Sequence, residues 1–434
     1  MNYNIVKDSK KLTVARLLTL CLLLFMPLAS VTANESHDIF MPVSENAFSN
    51  VFRHSIDSKN LNAKRTVDVS LPVNYAETAE NITYPLIVVL DGELLFNSAA
   101  SFAQLQAMNS QMPEAIVVGI PNAPDARRDM TPKPLGKNGE PLWFGGQEDS
   151  YLSFIQHEVL PLIEKNYRVA NFKILIGLSP SANFSLHSFW KQPNLFSGYI
   201  AVNGADFNAA GYEGESVFEK VVKSVKQQEQ NKRYLYISMP KGGVTRNPHI
   251  LEKYNELSDE LTPHLNKQIE FKWEVIDKKS YAAVLPAIMS GLKLIFPAEE
   301  WDPSYNNFIA KEPGQTLANI KTYYATLSDK YGFTALPKGE RFYNRNRLKR
   351  IVYVLINEQR YTEAEAVLNY WLSLYPQSAN AYDTYADLYR AQDNAGAELE
   401  YRAKAVKVAQ KNQDLRVALF ESSLRELQER KPAP

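Results

Sequence analysis

One cysteine, Cys21, occurs in the 434 residues. It stands inside an apolar run near the amino terminus, so a chain cleaved after that run holds no cysteine. Disulfides, thiol chemistry and cysteine-ligated metal are excluded from such a chain. Histidine is scarce too. There are six, they form no paired-ligand pattern, and none follows His264. A metal site is therefore not expected. No Gly-rich phosphate loop follows a strand at the right spacing, and no cofactor is expected. Net charge is also missing: Lys+Arg and Asp+Glu both number 48. That balance leaves no electrostatic case for nucleic acid or an anionic lipid surface as the main partner.

What is present begins with a leader. Lys7, Lys10, Lys11 and Arg16 are basic, and Leu17 to Ala29 is nearly all apolar. The run is short for a membrane span, and Val31-Thr32-Ala33 offers small residues at cleavage-determining positions. The expectation is a signal peptide over 1–33, cleavage near Ala33, and a mature protein that is periplasmic or secreted, with no integral span. Leu20 precedes Cys21 where a lipobox would want a small residue. An uncleaved anchor is the alternative.

From about residue 50 to 297 strands alternate with helices. Thr66 to Leu71 alternates polar and apolar residues, as a half-exposed strand does. Leu86 to Leu90 and Ala115 to Gly119 are continuous β-rich runs, the mark of strands buried on both faces of a parallel sheet. Ile174 to Ile176, Gly198 to Val202, Tyr234 to Ile237 and Phe271 to Val275 continue the series, with helical periodicity over 151–164 and 185–191. This predicts a doubly wound α/β domain over 34–297. Within it, an apolar strand runs into Gly177-Leu178-Ser179-Pro180-Ser181, and a helix-compatible run follows. That is the layout of a nucleophile elbow, which presents a serine at the top of an α/β-hydrolase sheet.

After Pro297 the strands stop. A helical connector spans 298–340, and an all-α region follows over 341–434. Arg360-Tyr361 to Leu374-Tyr375-Pro376 is echoed about 34 residues later, with small residues where paired helices touch. The spacing looks like tetratricopeptide (TPR) repeats, which would offer a surface to a protein partner. A plain helical extension capping the α/β domain is the alternative.

The motifs in order resemble the putative-esterase family of α/β-hydrolases, which includes enterochelin and related siderophore esterases. They are Leu90-Asp91-Gly92-Glu93 with Phe96, then Val118 to Asn122, Arg128-Asp129-Met130-Thr131-Pro132, and Gly145-Gly146 ahead of Phe154 to Glu158. Tyr167-Arg168 precedes the elbow, Pro193 to Phe196 follows it, and Pro286 to Leu292 closes the domain. The resemblance implies a serine carboxylic-ester hydrolase with Ser179 as nucleophile and a small ester or siderophore-like ligand. It places Asp91, Gly92 and Glu93 at the ligand side. Arg128 and Asp129 could hold an anionic ligand at the cleft edge, or form a structural salt bridge.

Residue by residue, the implied site is incomplete. The family elbow resembles Gly-His-Ser-x-Gly-Gly, whereas this chain has Gly177, Leu178, Ser179, Pro180, Ser181 and Ala182. Proline has no N–H, and the oxyanion hole normally uses the N–H after the serine. Losing one such donor costs on the order of 10²–10³ in turnover. The family's histidine falls here at about Ser280. A serine hydroxyl without a base is a poor nucleophile. The loop after the seventh strand holds no carboxylate, which leaves Asp206 as a substitute acid. His249, beyond that strand, could be a relocated base or a surface histidine. Three functions follow: an impaired hydrolase fold used for binding or scaffolding, a working esterase with a rearranged base, or an interaction module carried by the repeats.

Overall fold

Two antiparallel strands open the described chain, β1 (Val51–Ser58) and β2 (Ala63–Ser70), paired along their whole length. β2 then lies antiparallel to β4 (Ile116–Ile120), and from there the sheet is parallel. β3 (Tyr84–Leu90), β5 (Val169–Leu178), β6 (Gly198–Val202), β7 (Arg233–Pro240) and β8 (Ile269–Ile276) complete it. The order is β1-β2-β4-β3-β5-β6-β7-β8. The computed structural model describes residues 50–122, 129–132, 140, 145–204, 216–227, 232–265, 267–338 and 347–429. The leader, with Cys21 and the cleavage site near Ala33, lies outside them, as do Arg128 and Asp206.

β3 and β4 are buried at every position, as their unbroken apolar runs require. Helices cover both faces. On one lie α1 (Gly92–Met108) and, late in the chain, α8 (Val284–Ile295). On the other lie α2 (Glu148–Phe154), α3 (Leu160–Asn166), α4 (Pro180–Lys191), α5 (Val217–Lys226) and α7 (His249–Leu261). A short α6 (Lys241–Arg246) follows β7. The helix expected over 151–164 is in fact α2, a π-turn over Ile155–Val159, and α3. The strand read at Ile174 to Ile176 lies within a ten-residue one, β5.

Beyond Pro297 the chain is helical: α9 (Ala298–Trp301), α10 (Thr316–Tyr331), α11 (Arg347–Asn357), α12 (Tyr361–Leu374), α13 (Ala379–Ala391), α14 (Ala395–Lys411) and α15 (Val417–Glu429). These helices do not stand apart. Asn50–Pro434 is one compact unit, and a single apolar core runs from Ile87 and Ile174 of the sheet to Leu348, Trp371 and Leu388. Its centre is aromatic. Phe172 and Tyr234 on the sheet meet Phe296, Trp301, Tyr331 and Phe333, with neighbouring ring centroids 5.4 to 6.4 Å apart. Edge and offset contacts of this kind add to the area they bury. The backbone joins the two parts as well: Ala79 N–H donates to Leu374 O at 2.9 Å. The last helices pack on each other around Ala379, Ala405, Ala409 and Phe420.

Candidate active site

The carboxyl ends of β3, β5 and β6 meet where active sites form in open α/β sheets. β5 ends at Leu178 and α4 begins at Pro180, so Ser179 alone makes the turn. Its backbone stands at φ 60° and ψ −110°, a strained conformation for a residue with a side chain. The Ser179 N–H donates to Val202 O of β6 at 2.9 Å, and its carbonyl accepts from Asn183 N–H at 3.2 Å. The turn is tight because Gly177 permits it. A Cβ there would stand 2.2 Å from the Ser181 carbonyl oxygen. Ser179 itself is half-buried and reachable.

Pro180 occupies the first position of α4, where its fixed φ suits a helix and its missing N–H breaks no helical bond. The same feature removes the donor that would face an oxyanion. Ser181, where the family resemblance has glycine, is fully buried. Its hydroxyl accepts from Leu178 N–H at 2.6 Å and donates to Asp91 Oδ2. Asp91 Oδ1 accepts from Asn122 Nδ2 at 2.6 Å. Burial raises the Asp91 carboxyl above its ordinary pKa, and the Ser181 and Asn122 hydrogen bonds oppose that rise. Asp91 has a left-handed backbone (φ 53°) that turns β3 into α1. The ends of three strands, β3, β4 and β5, are thereby tied side chain to side chain.

The remaining site residues fall as follows. Gly92 lets α1 abut the end of β4: a Cβ would meet Ile120 C at 2.8 Å and Pro121 N at 2.9 Å. The exposed Glu93 accepts from Asn122 N–H at 2.9 Å. Asp129 is buried and bonded to Arg65 of β2 at 2.6 Å, which is the salt-bridge alternative. His249 stands at the start of α7 with its side chain 83% exposed, and Nδ1 lies 3.0 Å from Glu252 Oε2. Around it Phe218, Asn247, Ile250, Lys253 and Tyr254 enclose a small pocket of about 80 Å³. Ser280 is exposed in the turn after β8, with φ 47°. Among the described residues no side chain hydrogen-bonds the Ser179 hydroxyl, and no cluster of His, Cys, Asp and Glu could hold a metal ion. No described helix is long and apolar enough to cross a membrane.

A doubly wound sheet with a serine on this strand–turn–helix defines an α/β-hydrolase. More particularly, residues 58–260 match the family model described as "Putative esterase", and the chain resembles that family as its motifs implied. "Uncharacterized protein YbbA" of Bacillus subtilis (strain 168) is 24% identical over 45% of this chain and 92% of its own. A solved "IroE-like serine hydrolase" from Shewanella oneidensis superposes with a TM-score of 0.56 at 20% identity, over 73% of this chain and 98% of that one. An uncharacterised protein from Capnocytophaga ochracea gives a TM-score of 0.53 at 18% identity, over 88% of this chain and all of that one. At 88% of this chain the last match is longer than the α/β part, so helices beyond it belong to the shared fold.

Sequence reasoning missed the role of Ser181. Read as a lost glycine, it is a buried link to Asp91. The pairing of a new hydroxyl with a carboxylate ninety positions earlier leaves no local signal.

Proposed function

We propose that this is an exported protein of the ester-hydrolase fold whose catalytic site is impaired, and that it acts by binding a small ester or siderophore-like ligand. It hydrolyses such a ligand weakly or not at all. One observation carries the reading: Ser179 keeps the strained elbow conformation, yet Pro180 offers no N–H and no described base touches the hydroxyl. A serine that stays protonated is a poor nucleophile. Where turnover occurs, Ser179 Oγ attacks the ester carbonyl, the C–O bond to the alcohol breaks as the hydroxyl proton leaves with that alcohol, and water then hydrolyses the acyl-serine. The basic leader and short apolar run ending near Ala33 support export to the periplasm. The 34-residue echo between Tyr361 and Ala395, the first residues of α12 and α14, supports a TPR-like segment that offers a protein partner its outer face.

The test is hydrolysis of p-nitrophenyl butyrate and labelling by a serine-directed phosphonate. Slow turnover and poor labelling are expected. Placing glycine at 180 and histidine at 280 together (Pro180→Gly with Ser280→His) should raise turnover by at least about 10². Robust wild-type turnover that disappears in both Ser179→Ala and His249→Ala would replace this reading with an active esterase whose base is His249.

A further inference from the structure

At the other end of the sheet, the amino ends of β3 and β4, the α/β body and the later helices line a partly open cavity of about 50 Å³. On the scale of roughly 10–15 Å³ per water it has room for about four waters or one acetate-sized ion. Its walls include Pro85, Met112, Phe333 and Leu336. Three hydrogen-bond donors on the same wall set are short of acceptors. The Lys338 ammonium is buried and bonds only the Ala107 carbonyl at the end of α1. The Ser110 hydroxyl and the Trp301 indole N–H are buried without a hydrogen bond of ordinary geometry, although the indole N–H lies near the Tyr331 hydroxyl. The three are knitted together by backbone. Ser110 N–H donates to that same Ala107 carbonyl at 3.0 Å. Arg347 N–H donates to Lys338 O at 3.2 Å, and Arg347 Nη1 reaches Trp301 O at 3.3 Å.

Buried charges are ordinarily paired in contact. Arg347 obeys, with Asp302 Oδ1 at 2.5 Å. Lys338 makes no salt bridge among the described residues. Glu114 also lines the cavity and attracts it through space, while its Oε1 accepts from Asn74 Nδ2 at 2.6 Å. Arg347 repels it. Water could accept from these donors, yet each water would bring two further protons into a wall already rich in them. A carboxylate brings acceptors only.

We propose that this cavity binds a small carboxylate of two or three carbons, held by the Lys338 ammonium, the Ser110 hydroxyl and the Trp301 indole N–H. Charge-assisted bonds to Lys338 anchor it, and the methyl end rests against Met112 and Phe333. The site is independent of Ser179 and of the reading given above for the elbow.

The probe is sodium acetate, titrated calorimetrically into the full chain at constant ionic strength, with chloride and neutral acetamide as controls. Saturable binding in the millimolar range is expected for acetate and for neither control. Lys338→Met should weaken it at least about tenfold, Ser110→Ala and Trp301→Phe severalfold each, and Ser179→Ala not at all. Should Lys338→Met fail to fold, the other two variants decide. Absence of saturable acetate binding overturns the proposal, since water alone then fills the cavity. Binding that survives the Ser110 and Trp301 changes, or that vanishes with Ser179→Ala, overturns it as well.

Discussion

At the carboxyl end of the sheet Asp91, Ser181, Asn122 and Glu93 bond one another across three strands, while at the amino end Lys338, Ser110 and Trp301 present donors short of acceptors. The first end has the position of an active site, and its polar side chains beside Ser179 bond one another. The second has the position of a structural seam and the unspent hydrogen bonds of a binding site. Location on a fold, then, tells where a family works, and local hydrogen-bond accounting tells what this chain can still do there.

The carboxyl end can be broken most severely at Gly177. A methyl there would stand 2.2 Å from a backbone oxygen, so Gly177→Ala should cost more than about 4 kcal/mol. Urea unfolding and soluble yield measure it. A variant within 1 kcal/mol of wild type, roughly the median cost of an ordinary substitution, would mean the elbow is slack.

The amino end comes next. Burial lowers the Lys338 amine from 10.5 to about 8. The folded chain therefore holds this proton more weakly than the unfolded one, and the penalty is fully present below about pH 8. It is relieved as pH rises toward 10.5, where the unfolded amine also loses its proton. The size is on the order of 3 kcal/mol. Wild type should thus gain stability over this window relative to Lys338→Met, and the variant should be the more stable near neutrality. Equal pH profiles in paired urea titrations would show that the amine is already compensated.

The smallest effect sharpens those bonds beside Ser179. Ser181→Ala removes one of the bonds to the buried Asp91 carboxylate and should cost about 1–3 kcal/mol. Combined with Asp91→Asn, the two losses should fall short of their sum by at least about 0.5 kcal/mol, because the groups share one bond. Strict additivity would dissolve the link.

Much of the fold was legible because burial on both faces forces unbroken apolar runs, as in β3 and β4. β1 was not, since Arg53, His54 and Asp57 on a sheet edge carry no such pattern. The break of the 151–164 helix by a π-turn was hidden too, because a single extra residue in one turn hardly disturbs apolar spacing. In the site, Ser179 and Pro180 were legible as a motif, and the Pro180 deficit follows from covalent structure alone. The Ser181–Asp91 bond and the Lys338 cavity were not. Both join residues far apart in the chain, and only packing decides which distant polar groups meet.

The shared aromatic core has a consequence for how the protein is made. Phe172, Tyr234 and Phe296 on the sheet side are covered by Trp301, Tyr331 and Phe333, and Leu348, Trp371 and Leu388 extend the same cover. A nascent chain that has emerged only as far as Pro297 carries every described strand of the sheet, yet leaves the part of one face beyond α1 and α8 wet. The sheet must wait, half-clothed, until roughly ninety more residues have left the ribosome, an interval of about 5–20 seconds at ordinary synthesis rates.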